Sequence, residues 1–163
     1  MKHNPKNKNW VVISEDLDQT TSLIQNNTPA SDEHDQSFSE LARQLIKRKE
    51  NMGFFPAPDA SGNITGWCGD TMQIQLMLDG KIIKGARFMT DGCGATIACG
   101  SMLTKMVQSK PLSEAMKISP DDLLSELISI PEDHEHCLSL AVSTLRAAVN
   151  HAMEITSGAS LKK

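Results

Sequence analysis

Seven side chains of kinds that bind metals or act as nucleophiles stand out in this 163-residue sequence, in three short stretches. They are Cys68 with Asp70, Cys93 with Cys99, and His134 and His136 with Cys137. Thiolates are soft ligands that suit zinc and iron–sulfur clusters, and a thiolate with a lowered pKa is also the reactive form of cysteine. The spacing is not that of a zinc finger or ribbon: there is no CxxC, and the steps are 25 (68 to 93) and 44 (93 to 137) residues. On spacing alone, scattered cysteines serving as small core residues remain as good a reading.

The elements that would have to position these residues can be read from periodicity. Ser37-x-x-Glu40 fits a capping box, and Leu41, Leu45 and Ile46 follow at helical spacing. This helix is expected to stop near Met52-Gly53, and the Pro-rich stretch from Phe54 to Gly62 reads as a loop. A weak edge strand is expected around Asn63–Trp67. Met72, Ile74, Leu76 and Leu78 then alternate with more polar neighbours, and Asp79-Gly80 is a hairpin turn returning a strand from Lys81 to about Met89. Past Gly92-Cys93-Gly94, a helix lined with small residues is expected over Ala95–Val107. Short helices are expected after Pro111 and at Ser119-Pro120-Asp121-Asp122, and a last helix from about Glu135. The fold class is therefore α+β: a small antiparallel β-sheet, a hairpin plus an edge strand, covered on one face by several α-helices.

Placed on these elements, Cys93 stands where a strand meets a helix and Cys137 in the first turn of the last helix. Both helix N-termini should favour the thiolate, so both thiols are expected to be activated. If the Cys68 stretch is extended, Cys68 and Asp70 point to the same side. Residues 1–36 read as a polar, mostly disordered extension with one apolar patch, Trp10–Ile13. Residues 37–156 read as the domain and 157–163 as a flexible tail.

Composition narrows the classes. Hydrophobic residues make up 39% and charged residues 22%, ordinary for a soluble domain able to bury a core. The net charge of −4, with no basic patch, argues against nucleic-acid partners. No run of about 18 apolar residues predicts a membrane span. The first ten residues lack an apolar stretch of the secretory kind, so a cytoplasmic location with reduced thiols is expected. Walker, GxSxG and GxGxxG motifs are missing, so nucleotide and hydrolase chemistry have no support.

Three motifs carry a resemblance. Gly66-Trp67-Cys68-Gly69-Asp70-x-Met72, Phe88-x-x-x-Gly92-Cys93-Gly94-Ala95-x-Ile97-Ala98 and His136-Cys137-x-x-Leu140-Ala141 occur in order, with the hairpin between the first two. Together they resemble the IscU/NifU-type iron–sulfur cluster assembly scaffolds, over roughly residues 38–153. The resemblance implies an IscU/NifU-like fold with Cys68, Cys93 and Cys137 as cluster or metal ligands, and Asp70 and His136 as further polar site residues. It implies a transient cluster, of [2Fe–2S] type, with zinc as an alternative occupant. A cysteine desulfurase would donate sulfur, and apo iron–sulfur proteins would accept the cluster. A carboxylate is a harder, poorer partner for such a centre, so Asp70 near a fourth position would keep the cluster labile.

Two departures from the family pattern stand out. Cys99 falls where such scaffolds commonly have a Ser; it reads first as a packed helix residue, and second as a spare thiol relaying sulfur or pairing with Cys93. In the stretch Ile130–Cys137, His134 stands where chaperone-served scaffolds carry a Lys and two acids are added, which weighs against an Hsp70-type chaperone partner. His134 reads first as a surface residue on an acidic turn, and second as a metal ligand or proton acceptor.

Three functions follow. The first is a non-enzymatic scaffold that assembles and hands on a cluster. The second is a zinc-dependent sulfur-transfer protein that accepts persulfide sulfur; relatives of that kind usually lack a His before the last Cys, and His136 is present here. The third is a structural zinc domain, which would unfold on metal removal.

Overall fold

A computed structural model describes residues 37–158. The expectations for the 1–36 extension, its Trp10–Ile13 patch and the chain beyond Gly158 lie outside these residues. The described elements run α1 (Glu40–Arg48), β1 (Ala60–Thr65), β2 (Thr71–Asp79), β3 (Ile82–Thr90), α2 (Gly94–Val107), α3 (Leu112–Ala115), α4 (Pro120–Leu127), a 3-10 turn (Glu132–His134) and α5 (His136–Gly158). The sheet is antiparallel in the order β1-β2-β3, and the expected α+β class is what is observed.

The hairpin follows the sequence pattern closely. Met72, Ile74 and Leu76 are wholly buried on one face of β2, and Ile83, Ala86 and Phe88 join them from β3. Gly80 adopts φ 59°, the left-handed conformation that the Asp79-Gly80 turn requires. Against this face pack α2 and α5, whose Ala98, Leu103, Ala141, Leu145 and Val149 are buried.

Two glycines set how closely the helices approach. A Cβ on Gly62 would stand 2.4 Å from the backbone nitrogen of Ala148, so β1 lies directly against α5. A Cβ on Gly100 would stand 2.4 Å from the Phe88 ring, which seats α2 on β3. The outer face carries Gln75, whose Oε1 accepts from Phe55 N at 2.8 Å, and Arg87, whose guanidinium lies 5.0 Å from the Phe55 ring centre. Segment 51–53 covers part of the free edge of β3, through Phe88 N to Asn51 O and Gly53 N to Phe88 O.

Several boundaries differ from the sequence reading. Ser39, not Ser37, caps α1 by accepting from Ala42 N at 3.0 Å. Tertiary bonds decide this: Ser39 N donates to Ser129 O, while Ser37 O accepts from the Ser129 hydroxyl. The helix also ends early, because Lys49 turns to φ 50° and closes on Leu45 O. The edge strand begins at Ala60, inside the expected loop, and ends at Thr65, short of Trp67. The α4 start, by contrast, forms as read, with Pro120 at its first position and Asp121 and Asp122 in its first turn, and the structure adds a capping box between Ser119 and Asp122. No helix among the described residues is long and apolar enough to cross a membrane.

Candidate metal centre

Cys93 is placed by the crossover from β3 to α2. The Thr90 hydroxyl donates to Thr71 O at 2.7 Å and accepts from Gly92 N at 3.0 Å, and Asp91 Oδ1 accepts from Thr71 N at 2.8 Å. These bonds also tie the Cys93 loop to the start of β2, just after the Cys68 loop. Gly92 is required here, since a Cβ would meet Thr96 Oγ1 at 2.6 Å and Asp70 Oδ2 at 3.0 Å. Cys93 then occupies the N-cap of α2, exposed to solvent.

Cys137 is the second residue of α5 and is wholly buried. The Thr96 hydroxyl, one turn into α2, donates to its Sγ at 3.3 Å and lies 3.7 Å from Sγ of Cys93. The Cys137 thiol in turn bonds to Cys93, and this is the main reason the Cys93 pKa is pushed down to about 4. Partial burial opposes that shift, and hydrogen bonds from Thr96 and Ala95 in the first turn of α2 reinforce it. The same bond to Cys93, with burial second, holds the Cys137 thiol far above its ordinary value. The expectation of two activated thiolates is therefore corrected. Two sulfurs in contact cannot both ionise cheaply, so the charge settles on the more exposed one.

His134 does not sit apart on the surface. Its Nδ1 lies 3.6 Å from Sγ of Cys93, its Nε2 lies 3.9 Å from Oδ2 of Asp133, and its side chain is 29% exposed. The ligand atoms of Cys93, His134 and Cys137 all lie within 4.8 Å of one another.

Cys68 is not in that group. The segment 66–70 is a tight turn rather than an extended strand: Gly66 N donates to Asp70 O at 2.8 Å, Gly69 N to Gly66 O at 3.0 Å, and Gly69 takes φ 91°. The turn separates the two side chains expected to point together. Cys68 is exposed and lines a groove of about 220 Å³ with Ile64, Trp67, His136 and Leu140. Asp70 turns toward Gly92 and the base of the Cys93 loop. His136 faces the Cys68 side, its ring centre 5.1 Å from that of Trp67, which is itself 86% exposed. Cys99 is wholly buried in α2, and burial, with the nearby Cys93 charge second, pushes its thiol up.

Sequence reasoning missed Thr96. The available signal was its place three residues after an N-cap Cys, where a side chain turns back toward the cap.

A profile described as "NifU-like N terminal domain" matches residues 41–157. The chain is 33% identical over 122 residues to the iron-sulfur cluster assembly protein IscU of Plasmodium falciparum, covering 72% of this chain and 75% of that protein. It is 36% identical over 118 residues to the iron-sulfur cluster assembly scaffold protein IscU of Escherichia coli K12, covering 69% of this chain and 91% of that one. Among solved structures, a nitrogen-fixing NifU-like protein (N-terminal) from Brucella abortus superposes with a TM-score of 0.58 at 16% identity. That match covers 74% of this chain and 96% of the other, and establishes likeness of fold.

Proposed function

The chain belongs to the NifU-like N-terminal domain family, and from that premise we propose that it is an iron–sulfur cluster assembly scaffold. It collects iron and sulfide on Cys68, Cys93 and Cys137, holds a [2Fe–2S]-type cluster, and gives it up to apo iron–sulfur proteins. Relatives named as iron-sulfur cluster assembly proteins, one of them as a scaffold, support the reading at the level of the family. The observation that carries it is that the sulfurs of exposed Cys93 and buried Cys137 lie within 4.8 Å of each other at two helix N-termini, beside an exposed turn bearing Cys68. One charge is already present for a first metal ion. Metal binding would displace the second proton, since a coordinated thiol is deprotonated.

Asp70, placed against the Cys93 loop, is a hard oxygen group at a soft site and favours release over retention. Such a protein is a carrier rather than an enzyme, and its sulfur comes from a cysteine desulfurase. Anaerobic reconstitution with iron, cysteine, a desulfurase and a dithiol reductant, which supplies the two electrons that turn persulfide sulfur into sulfide, tests this. Broad sulfide-to-iron absorption should grow in with the wild type and fail with Cys137→Ser. A colourless protein that keeps tightly bound zinc would reject it.

One observation favours a second reading. The Cys93 thiolate is exposed, as a sulfur acceptor must be. In a zinc-dependent sulfur-transfer protein it would attack the terminal sulfur of a desulfurase persulfide. A new S–S bond would form on Cys93 as the old one breaks, leaving the donor cysteine as thiolate. The colourless, zinc-retaining outcome is the one that supports this reading.

A further inference from the structure

We propose that Cys93, His134 and Cys137, with Asp133 behind the imidazole, form an entry site for a single thiophilic divalent metal ion, complete without Cys68. As a loading step for cluster assembly it rests on the scaffold reading; as a binding site it stands on the geometry.

Three observations converge. First, the spacing suits a metal. A tetrahedral ion with metal–sulfur bonds of about 2.3 Å and metal–nitrogen bonds of about 2.0–2.1 Å holds its sulfur and nitrogen ligands about 3.6 Å apart. Sγ of Cys93 and Nδ1 of His134 are 3.6 Å apart. Sγ of Cys137 completes a group whose atoms all lie within 4.8 Å.

Second, the imidazole is oriented for the task. With Nδ1 turned to the sulfurs, Nε2 faces Oδ2 of Asp133 at 3.9 Å. Histidine ligands commonly have a carboxylate behind the other ring nitrogen, which sets the tautomer and raises ligand basicity. The 3-10 turn Glu132–His134 creates this arrangement by setting Asp133 and His134 just before α5, which carries Cys137.

Third, the remaining thiol of the three lies outside this group. Cys68 faces the groove with Trp67 and His136. The 66–70 turn is cross-bonded within itself, so Cys68 joins the metal only through a change in its side chain or its turn. The order of events is then metal first on the S₂N set, with Cys68 joining as the cluster is built.

The test is an anaerobic titration of the reduced, metal-stripped full chain with Co²⁺ against a chelator. Thiolate-to-cobalt absorption counts sulfur ligands, and far-UV circular dichroism checks the fold. Wild type, Cys68→Ser and His136→Ala should bind with affinities within about twofold of one another and equal charge-transfer intensity. His134→Ala should lose more than tenfold in affinity, and Asp133→Asn a smaller amount, up to about tenfold. His134→Cys should restore binding, with absorption raised by about half as two thiolates become three.

The inference is overturned if His134→Ala binds within twofold of wild type, or if Cys68→Ser loses a thiolate's share of the absorption. A wild type that fails to build a cluster but shows this cobalt pattern rejects the scaffold reading and leaves the site standing. A wild type that builds a cluster without this pattern does the reverse.

Discussion

The hydroxyl of Thr96 donates to the sulfur of Cys137 at 3.3 Å, across the gap between the N-termini of two helices. Thr96 Oγ1 also stands 3.7 Å from Sγ of Cys93, and the neighbouring Cys137 thiol is the largest cause lowering the Cys93 pKa, so Thr96 acts on Cys93 directly and through Cys137. A hydrogen bond to a charged group is worth about 1.5–3 kcal/mol, or roughly one to two pKa units. Removing the hydroxyl takes away both effects, so Thr96→Val should raise the Cys93 pKa by about one unit, while Thr96→Ser keeps it near the wild-type value. Thiolate absorption near 240 nm, followed against pH in a Cys68→Ser background, reads the shift. Equal titration curves for the Val and Ser variants would show that Thr96 does not act on Cys93.

The Cys93 thiol has a direct pH signature. A pKa lowered to about 4 means that the thiolate is fully formed at every pH above about 5. In the Cys68→Ser background, alkylation of Cys93 by iodoacetamide should therefore be nearly flat between pH 6 and pH 8. An ordinary cysteine gains roughly two orders of magnitude in thiolate over that span. Cys137→Ala removes the main donor and should bring back a rise with pH. A steep profile in the parent protein would show that Cys93 is not held as thiolate.

Asp70 should limit how long a cluster stays. Its carboxylate sits at the base of the Cys93 loop, and Asp70→Ala removes the hard oxygen from the site. The expected result is a reconstituted cluster several-fold longer-lived and slower to reach an apo-ferredoxin. Transfer at an unchanged or faster rate would contradict this role.

Cys99 is expected to contribute through packing alone. It is wholly buried in α2, and its thiol is pushed up, away from the reactive form. Cys99→Ala should cost on the order of 1 kcal/mol of stability and leave cobalt binding and cluster yield unchanged. A loss of cluster yield at retained stability would revive the sulfur-relay reading.

Gly62 holds β1 against α5 and should be intolerant of any side chain. In Gly62→Ala the new methyl would stand 2.4 Å from Ala148 N and 2.7 Å from Thr144 O, both backbone atoms that cannot rotate away. A loss of about 1–3 kcal/mol is expected, read as a lower urea midpoint at unchanged slope. Stability within 0.5 kcal/mol of wild type, on the order of an ordinary surface substitution, would mean that the strand and helix can part without cost.

The sequence by itself determined the hairpin, the α+β class and the family. Alternation at Met72–Leu78, the Asp79-Gly80 turn and Pro120 opening a helix with Asp121 and Asp122 behind it are local signals, in which neighbours along the chain settle the conformation. It also placed Cys93 and Cys137 at helix N-termini, because Gly92-Cys93-Gly94 and His136-Cys137 mark those boundaries themselves. Only the tertiary structure decided how the side chains share charge and space. That Cys93 is lowered and Cys137 raised depends first on the two thiols meeting and second on burial, and both are set by how α2 packs against α5. The cap of α1 moved to Ser39 because its partner is Ser129, 90 residues away along the chain (39 to 129). Cys68 parted from Asp70 because the turn closes Gly66 on Asp70, and His134 met Cys93 because a 3-10 turn aims it there. These outcomes rest on contacts between distant segments, and the local pattern of a sequence carries no record of which distant segment will arrive.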